Sequence, residues 1–164
     1  MLSGKLTDKL LFTAIYCALG FLAIWGARSI TNYALDVRFY REYLQQWQTS
    51  MLALRHQASA WPPRGDMEAV DYMQVLMRHL RVNGVSVPSS NTEYPFVYRL
   101  GKFGERSQRI LMLYDQNRLI LYGLPESTFE HLDHFIDGQS DPGHGDFTGR
   151  WSADQISRIA QWKL

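Results

Sequence analysis

Residues 10–26 read LLFTAIYCALGFLAIWG, seventeen positions without a charge. As a helix rising ~1.5 Å per residue, this run is about 25 Å long, the short end of a bilayer's hydrocarbon core. Lys5 and Lys9 precede it, Arg28 follows it, and Trp25 stands where an interfacial ring belongs. A cleaved signal peptide has an apolar stretch of similar length. The run closes Ile24-Trp25-Gly26-Ala27-Arg28, however, without a small-x-small cleavage site. A buried soluble helix would need apolar neighbours on every side. Residues 10–26 are therefore read as a transmembrane anchor behind a short tail, residues 1–9. The positive charges of the tail place it in the cytoplasm. The rest then lies across the inner membrane, in the periplasm or outside the cell.

The helical pattern continues past the anchor. Ile30, Tyr33, Val37, Tyr40, Leu44, Trp47, Met51, Leu54, Ala58 and Trp61 recur at alternating three- and four-residue steps. No Gly or Pro interrupts residues 27–61, and Pro62-Pro63 then ends the pattern. The expectation is a stalk helix, residues 27–61, continuous with the anchor. Two-stranded coiled coils prefer compact branched side chains in such a seam. Tyr and Trp fit a sheet or a broad groove better. The lower seam is thus expected to be core, and the upper seam to meet other membrane subunits. Ile30, Tyr33, Val37, Tyr40, Leu44 and Trp47 are the candidate partner-binding residues.

Residues 62–164 read as one globular α+β domain. Asp66 to Val82 forms a helix with Val70, Met73, Leu76, Met77 and Leu80 on its apolar face, closed by Asn83-Gly84. The period then shortens. Tyr94–Phe103, Arg109–Tyr114 and Arg118–Tyr122 read as strands, with a tight hairpin at Asp115-Gln116-Asn117. A short helix runs from Pro125-Glu126 to about Ile136. A last helix from Ser152 is expected from Ile156, Ile159 and Trp162. The fold class is α+β: a long transmembrane-plus-stalk helix packed on a small antiparallel sheet, with additional short helices.

Net charge is +1, so the chain lacks the overall basic field of a nucleic-acid binder, and no nucleic acid is expected. Charge is unevenly placed. No Lys or Arg occurs from Leu119 to Gly149, a window holding Glu126, Glu130, Asp133, Asp137, Asp141 and Asp146. The single cysteine, Cys17, rules out an intramolecular disulfide and a multi-cysteine zinc site.

The Gly- and Asp-rich segment Phe135–Trp151, FIDGQSDPGHGDFTGRW, has three readings. Asp137, Gln139, Asp141 and Asp146 supply closely spaced oxygens of the kind calcium takes, with glycines that let carbonyls turn inward. Zinc is the competitor, through His131, His134, His144 and Asp137. A solvated connector is the third. Ser140, Asp141 and His144 have the composition of a triad but no fold to make them converge. His56 and His79 stand alone. Without G-x-S-x-G, a P-loop or H-E-x-x-H, no enzyme is expected.

The order of a membrane helix, a stalk and a meander resembles a type IV pilin-like protein, in particular a type II secretion pseudopilin. Asp137-Gly138-Gln139, then an acidic Gly-rich stretch and Trp151, is similar to the calcium loop of major pseudopilins. Phe12-Thr13-Ala14-Ile15-Tyr16 is similar to the family's Phe-Thr-Leu-Ile-Glu start. Leu11 stands where the family has the Gly of its cleavage site, and Tyr16 where it has Glu. The resemblance implies a structural subunit of a fibre, tip complex or export machine, bound to lipid and to other subunits, with calcium as its one cofactor. A membrane-anchored ligand-binding or sensor module is the alternative; its nine-residue tail is too short to signal alone.

Overall fold

The computed structural model describes residues 4–57, 61–62, 64–115, 117–139 and 141–164. One continuous helical rod opens the chain. It comprises α1 (Gly4–Phe39), a π-helical turn (Tyr40–Leu44) and α2 (Gln45–Gln57). The helices α3 (Ala69–Val82) and α4 (Glu126–Asp137) are shorter. Five strands, β1 (Val97–Leu100), β2 (Gln108–Asp115), β3 (Arg118–Leu124), β4 (Phe147–Trp151) and β5 (Arg158–Lys163), form one antiparallel sheet in the order β1-β2-β3-β5-β4. Asp115 pairs directly with Arg118, so the β2–β3 hairpin has the expected tight loop, with Asn117 in the left-handed region.

The rod lies across the sheet, as a sheet with one apolar face requires. Phe39, Leu44, Trp47 and Leu54 are wholly buried, against sheet residues such as Ile110, Met112, Leu119 and Leu121. Phe39 and Tyr43 both meet the ring of Tyr98 at 4.8 Å. On the other flank, Tyr40 meets Phe135 and Trp162. The aromatic stripe is thus the cover of the sheet. α3 runs beside β2, where the Tyr114 N–H donates to Met73 Sδ. Trp61 stacks on Tyr114 at 4.9 Å. Ala58, at the end of the expected seam, lies outside the described residues.

The seam is offset by one residue in its upper part. Buried positions there are Asp36, Phe39 and Tyr43, each one before Val37, Tyr40 and Leu44. Below, Leu44, Trp47, Met51 and Leu54 coincide with it. The π-helical turn, whose hydrogen bonds reach one residue further than those of an α-helix, takes up the difference. A strict 3.5-residue count cannot register such an insertion.

The expected last helix is a correction. Residues 147–151 and 158–163 are strands, and Ile156 lies between them. Ile156, Ile159 and Trp162 fall at three-residue steps by coincidence. Along β5 the true period is two, with Ala160 and Trp162 buried and Ile159 and Gln161 half-buried. α3 also begins later than expected, at Ala69, with Glu68 as N-cap and Asp66 in the preceding turn. Gly149 admits β4 under α4, because a Cβ there would collide with the Phe129 ring.

Glu42 is exposed and sits in the π-helical turn. Deleting it should restore α-helical winding with the flanking segments kept in phase, because four α-helical residues turn through about the same angle as five π-helical ones. Asp36 then keeps the partners described below. The expected change in stability is within about 1 kcal/mol, read from chemical unfolding of the full chain in detergent by near-UV circular dichroism; a loss of about 3–5 kcal/mol, the size expected for a broken buried pair, would show that the turn sets the phase of the upper rod.

Candidate functional site at the helix–domain junction

Asp36 is the only acid between Asp8 and Glu42. It is completely buried. A buried carboxylate needs donors, and here they come from two distant segments. Lys102 Nζ, in the β1–β2 loop, lies 3.0 Å from Asp36 Oδ2 and is itself nearly sealed from solvent. From α4, Thr128 Oγ1 donates to Oδ1 at 2.8 Å, and His131 Nδ1 lies 2.7 Å from Oδ2. Lys102 Nζ also donates to Ser127 Oγ at 2.8 Å. The His131 ring stands edge-on to Tyr33. The cluster thus joins the rod, the β1–β2 loop and α4 at the level where the rod enters the domain. Neither Asp36 nor Lys102 was singled out by the seam. The available signal was a lone acid within an apolar and basic stretch, one position off the apolar stripe.

The acidic loop is held from within. Asp137, at the end of α4, accepts the N–H groups of Asp146 at 3.0 Å and Phe147 at 2.9 Å, and so starts β4. Gly145, with φ of 105°, packs against that carboxylate where a Cβ could not fit. Asp141 accepts the Gly143 N–H and faces His144 Nδ1 at 3.0 Å. The Gly143 N–H, with the charge and hydrogen bond of His144, holds the Asp141 carboxyl below the usual range. Gln139 is exposed, and Asp146 contributes its backbone to Asp137. Ser140 lies outside the described residues. His131 turns to Asp36, His134 is exposed, and His144 stays with Asp141, so the three histidines diverge. Among the described residues, no three His, Cys, Asp or Glu side chains form a metal-sized group. Asp133 is different: it is fully buried, and among the described residues neither carboxylate oxygen has a hydrogen-bond partner. Burial pushes its pKa up, and the charges of Asp137 and Asp141 add to the effect.

The candidate partner-binding seam divides. Leu44 and Trp47 are wholly inside the chain's own core, and Val37 and Tyr40 are half-buried. Ile30 is 72% exposed and Tyr33 46%. A second open surface is the sheet face turned away from the rod. Leu113 is buried there, Leu111, Ile120, Tyr122 and Ile159 are half-buried, and the register puts exposed Arg99, Arg109, Arg118, Arg150 and Lys163 around them. An open cleft of about 1080 Å³ beside β1 is lined by Tyr94, Arg99, Arg109 and Leu111.

Comparison with protein-family models, curated proteins and solved structures found no match. The fold is α+β, with one apolar helix long enough to cross a membrane among the described residues, and the layout is compatible with a pilin-like fold.

Lys102→Met leaves the Asp36 charge buried without its cation and should cost about 3–5 kcal/mol of stability. Asp36→Leu combined with Lys102→Met should recover most of that loss, because a buried pair is replaceable by apolar groups. Unfolding of the full chain, of Asp36→Leu and Lys102→Met singly and of the double variant in detergent checks this; losses that simply add in the double variant would show that the pair is uncoupled. A second expectation concerns Asp133. Its raised native pKa means that the folded chain holds the proton over a pH range where the unfolded chain has released it. Stability therefore falls as pH rises through that range. Asp133→Asn should gain about 1 kcal/mol or more at pH 7, and the gain should vanish below about pH 4, near the unfolded value. Melting curves against pH test it; a gain that is flat with pH rules it out.

Proposed function

We propose that the chain is a non-enzymatic, single-pass subunit of a membrane or envelope-spanning assembly, of the pilin-like kind. Its tail is cytoplasmic and its domain lies across the inner membrane. The observation that carries this reading is the continuity of the rod. A membrane-length apolar segment, uncovered by the rest of the chain, runs without a break into the helix that is the core of the α+β domain. Such a joint presents the domain in one orientation, as a structural subunit needs. The Asp36 cluster supports the same role, since its charges satisfy one another at the joint. The outer sheet face, apolar at its centre and basic at its rim, has the make-up of a protein contact.

Native electrophoresis of gently solubilised membranes should show the chain well above its 19.0 kDa monomer mass. A photo-crosslinker at Ile120, on the outer sheet face, should yield protein adducts, whereas one at Val82 should not. Migration only as a monomer, with lipid as the sole adduct, would argue against an assembly.

A further inference from the structure

The β1–β2 loop climbs the rod toward the anchor. Lys102 meets Asp36 at 3.0 Å. The Phe103 N–H donates to Asn32 Oδ1 at 2.7 Å. Glu105 pairs with Arg28 at 3.0 Å, and Gly104 packs beside the same guanidinium. Each step along the loop therefore contacts the rod roughly one turn nearer its N-terminus. At ~1.5 Å per residue, Arg28 lies about 4.5 Å beyond Trp25 and Asn32 about 10 Å beyond it. The interfacial layer on each side of a hydrocarbon core is about 5–8 Å deep. The loop tip at Gly104–Glu105, beside Arg28, therefore stands at the level of the lipid headgroups when the anchor spans the bilayer, and the Phe103 backbone, level with Asn32, stands at the outer edge of that layer, within reach of it for an aromatic side chain. The side chain it carries there is Phe103, 58% exposed. Arg106 follows, exposed and without an ion-pair partner among the described residues.

An exposed phenylalanine alone is unremarkable on a protein surface. This one is held in place. The exposed Arg28–Glu105 pair contributes little, but Lys102 fixes the base of the loop through the buried cluster, and Asn32 fixes the Phe103 backbone. The backbone that carries an apolar ring is thus fixed between a rigid helix and water, about 10 Å past Trp25. Aromatic rings and long basic side chains both partition favourably at that depth.

We propose that the loop Gly101–Ser107 is a second membrane contact, in which Phe103 enters the headgroup layer of the bilayer that holds α1, with Arg106 among the lipid phosphates. The inference rests on the membrane reading of residues 10–26. The domain then touches the bilayer at two points and cannot swing freely about the anchor. The span supplies the partner: the lipid surface is continuous with α1, whereas a second protein would have to insert between the loop and that surface.

The test uses the full chain with Cys17→Ser, reconstituted into phosphatidylcholine vesicles containing phosphatidylglycerol. Single nitroxide labels at Leu19→Cys, Phe103→Cys and Val82→Cys report the anchor, the loop and a far exposed control. Collision with oxygen against a water-soluble nickel complex reads depth. The label at 103 should shift from the Val82 value toward the Leu19 value. A Ser107→Cys label, which keeps Phe103 in place, should shift in the same direction and lose the shift when Phe103→Asp is added. A water-like label at 103 with a lipid-like label at 19 overturns the loop contact and leaves the anchor standing. Shielding of 103 from both reagents means protein contact and also overturns it. Water-like labels at both 103 and 19 remove the membrane reading itself.

Discussion

A carboxylate sealed inside a small domain must be given its donors by the fold, and Asp36 dictates where they come from. Lys102, Thr128 and His131 reach it from two segments that are 66 and 92 or more residues distant in the chain. The rod can roll or slide on an apolar sheet at modest cost, because aromatic contacts tolerate small shifts. An ion pair at 3.0 Å in a dry site does not tolerate them. Apolar contacts supply most of the attraction between rod and sheet, and the Asp36 cluster selects one rotation and one height among the arrangements those contacts allow. Our hypothesis for keeping charge in this core is that it specifies register rather than adds stability; the single and double variants at Asp36 and Lys102 separate those two roles.

The sheet is open, and an open antiparallel sheet offers unpaired edges to other chains. Here both edges are occupied by the chain itself. Along β1, Val97 N–H donates to Tyr94 O, Val97 O accepts from Ser90 and Thr92, and the Asn91 amide bonds both the N–H and the carbonyl of Arg99. Along β4, the N–H groups of Phe147 and Gly149 go to Asp137 and to Pro142 O. Strand addition is therefore disfavoured at the described edges. The surfaces left for association are the bare upper rod and the outer sheet face, which lie on different sides of the molecule. This division gives the acidic loop a structural reading of its own: Asp137 closes an edge.

The rod, its length and the identity of its lower buried face were legible because an apolar run and a long seam are strong periodic signals. The β2–β3 hairpin was legible from turn chemistry at Asp115–Asn117. The last helix was not: six residues carry too few periods to separate a step of three from a step of two, and pairing of β5 with both β3 and β4 decides the outcome. Neither was the junction site. Its donors are scattered singly through the chain, and nothing in the local composition around Lys102 or Thr128 announces that they meet. The four acidic-loop residues were legible as a group, but not the division of their hydrogen bonds, which depends on α4 ending beside the start of β4.

The one-residue offset in the seam connects these observations. The buried face runs Asp36, Phe39, Tyr43 above the offset and Leu44, Trp47, Met51, Leu54 below it, and the π-helical turn lets Tyr43 and Leu44, adjacent in sequence, both enter the core. Wider winding at Tyr40–Leu44 lets the lower rod follow the aromatic stripe while the upper rod turns Asp36, rather than Val37, toward Lys102. Ile30 and much of Tyr33 remain in the open, between the domain and the apolar segment. π-helical turns are rare and weakly bonded, and they concentrate at functional positions. In this chain the turn sits about one helical turn below the buried carboxylate, where an exposed apolar helix becomes a core helix. The physical demand it answers is that one rod must satisfy a charge at one height and a purely apolar sheet at the next.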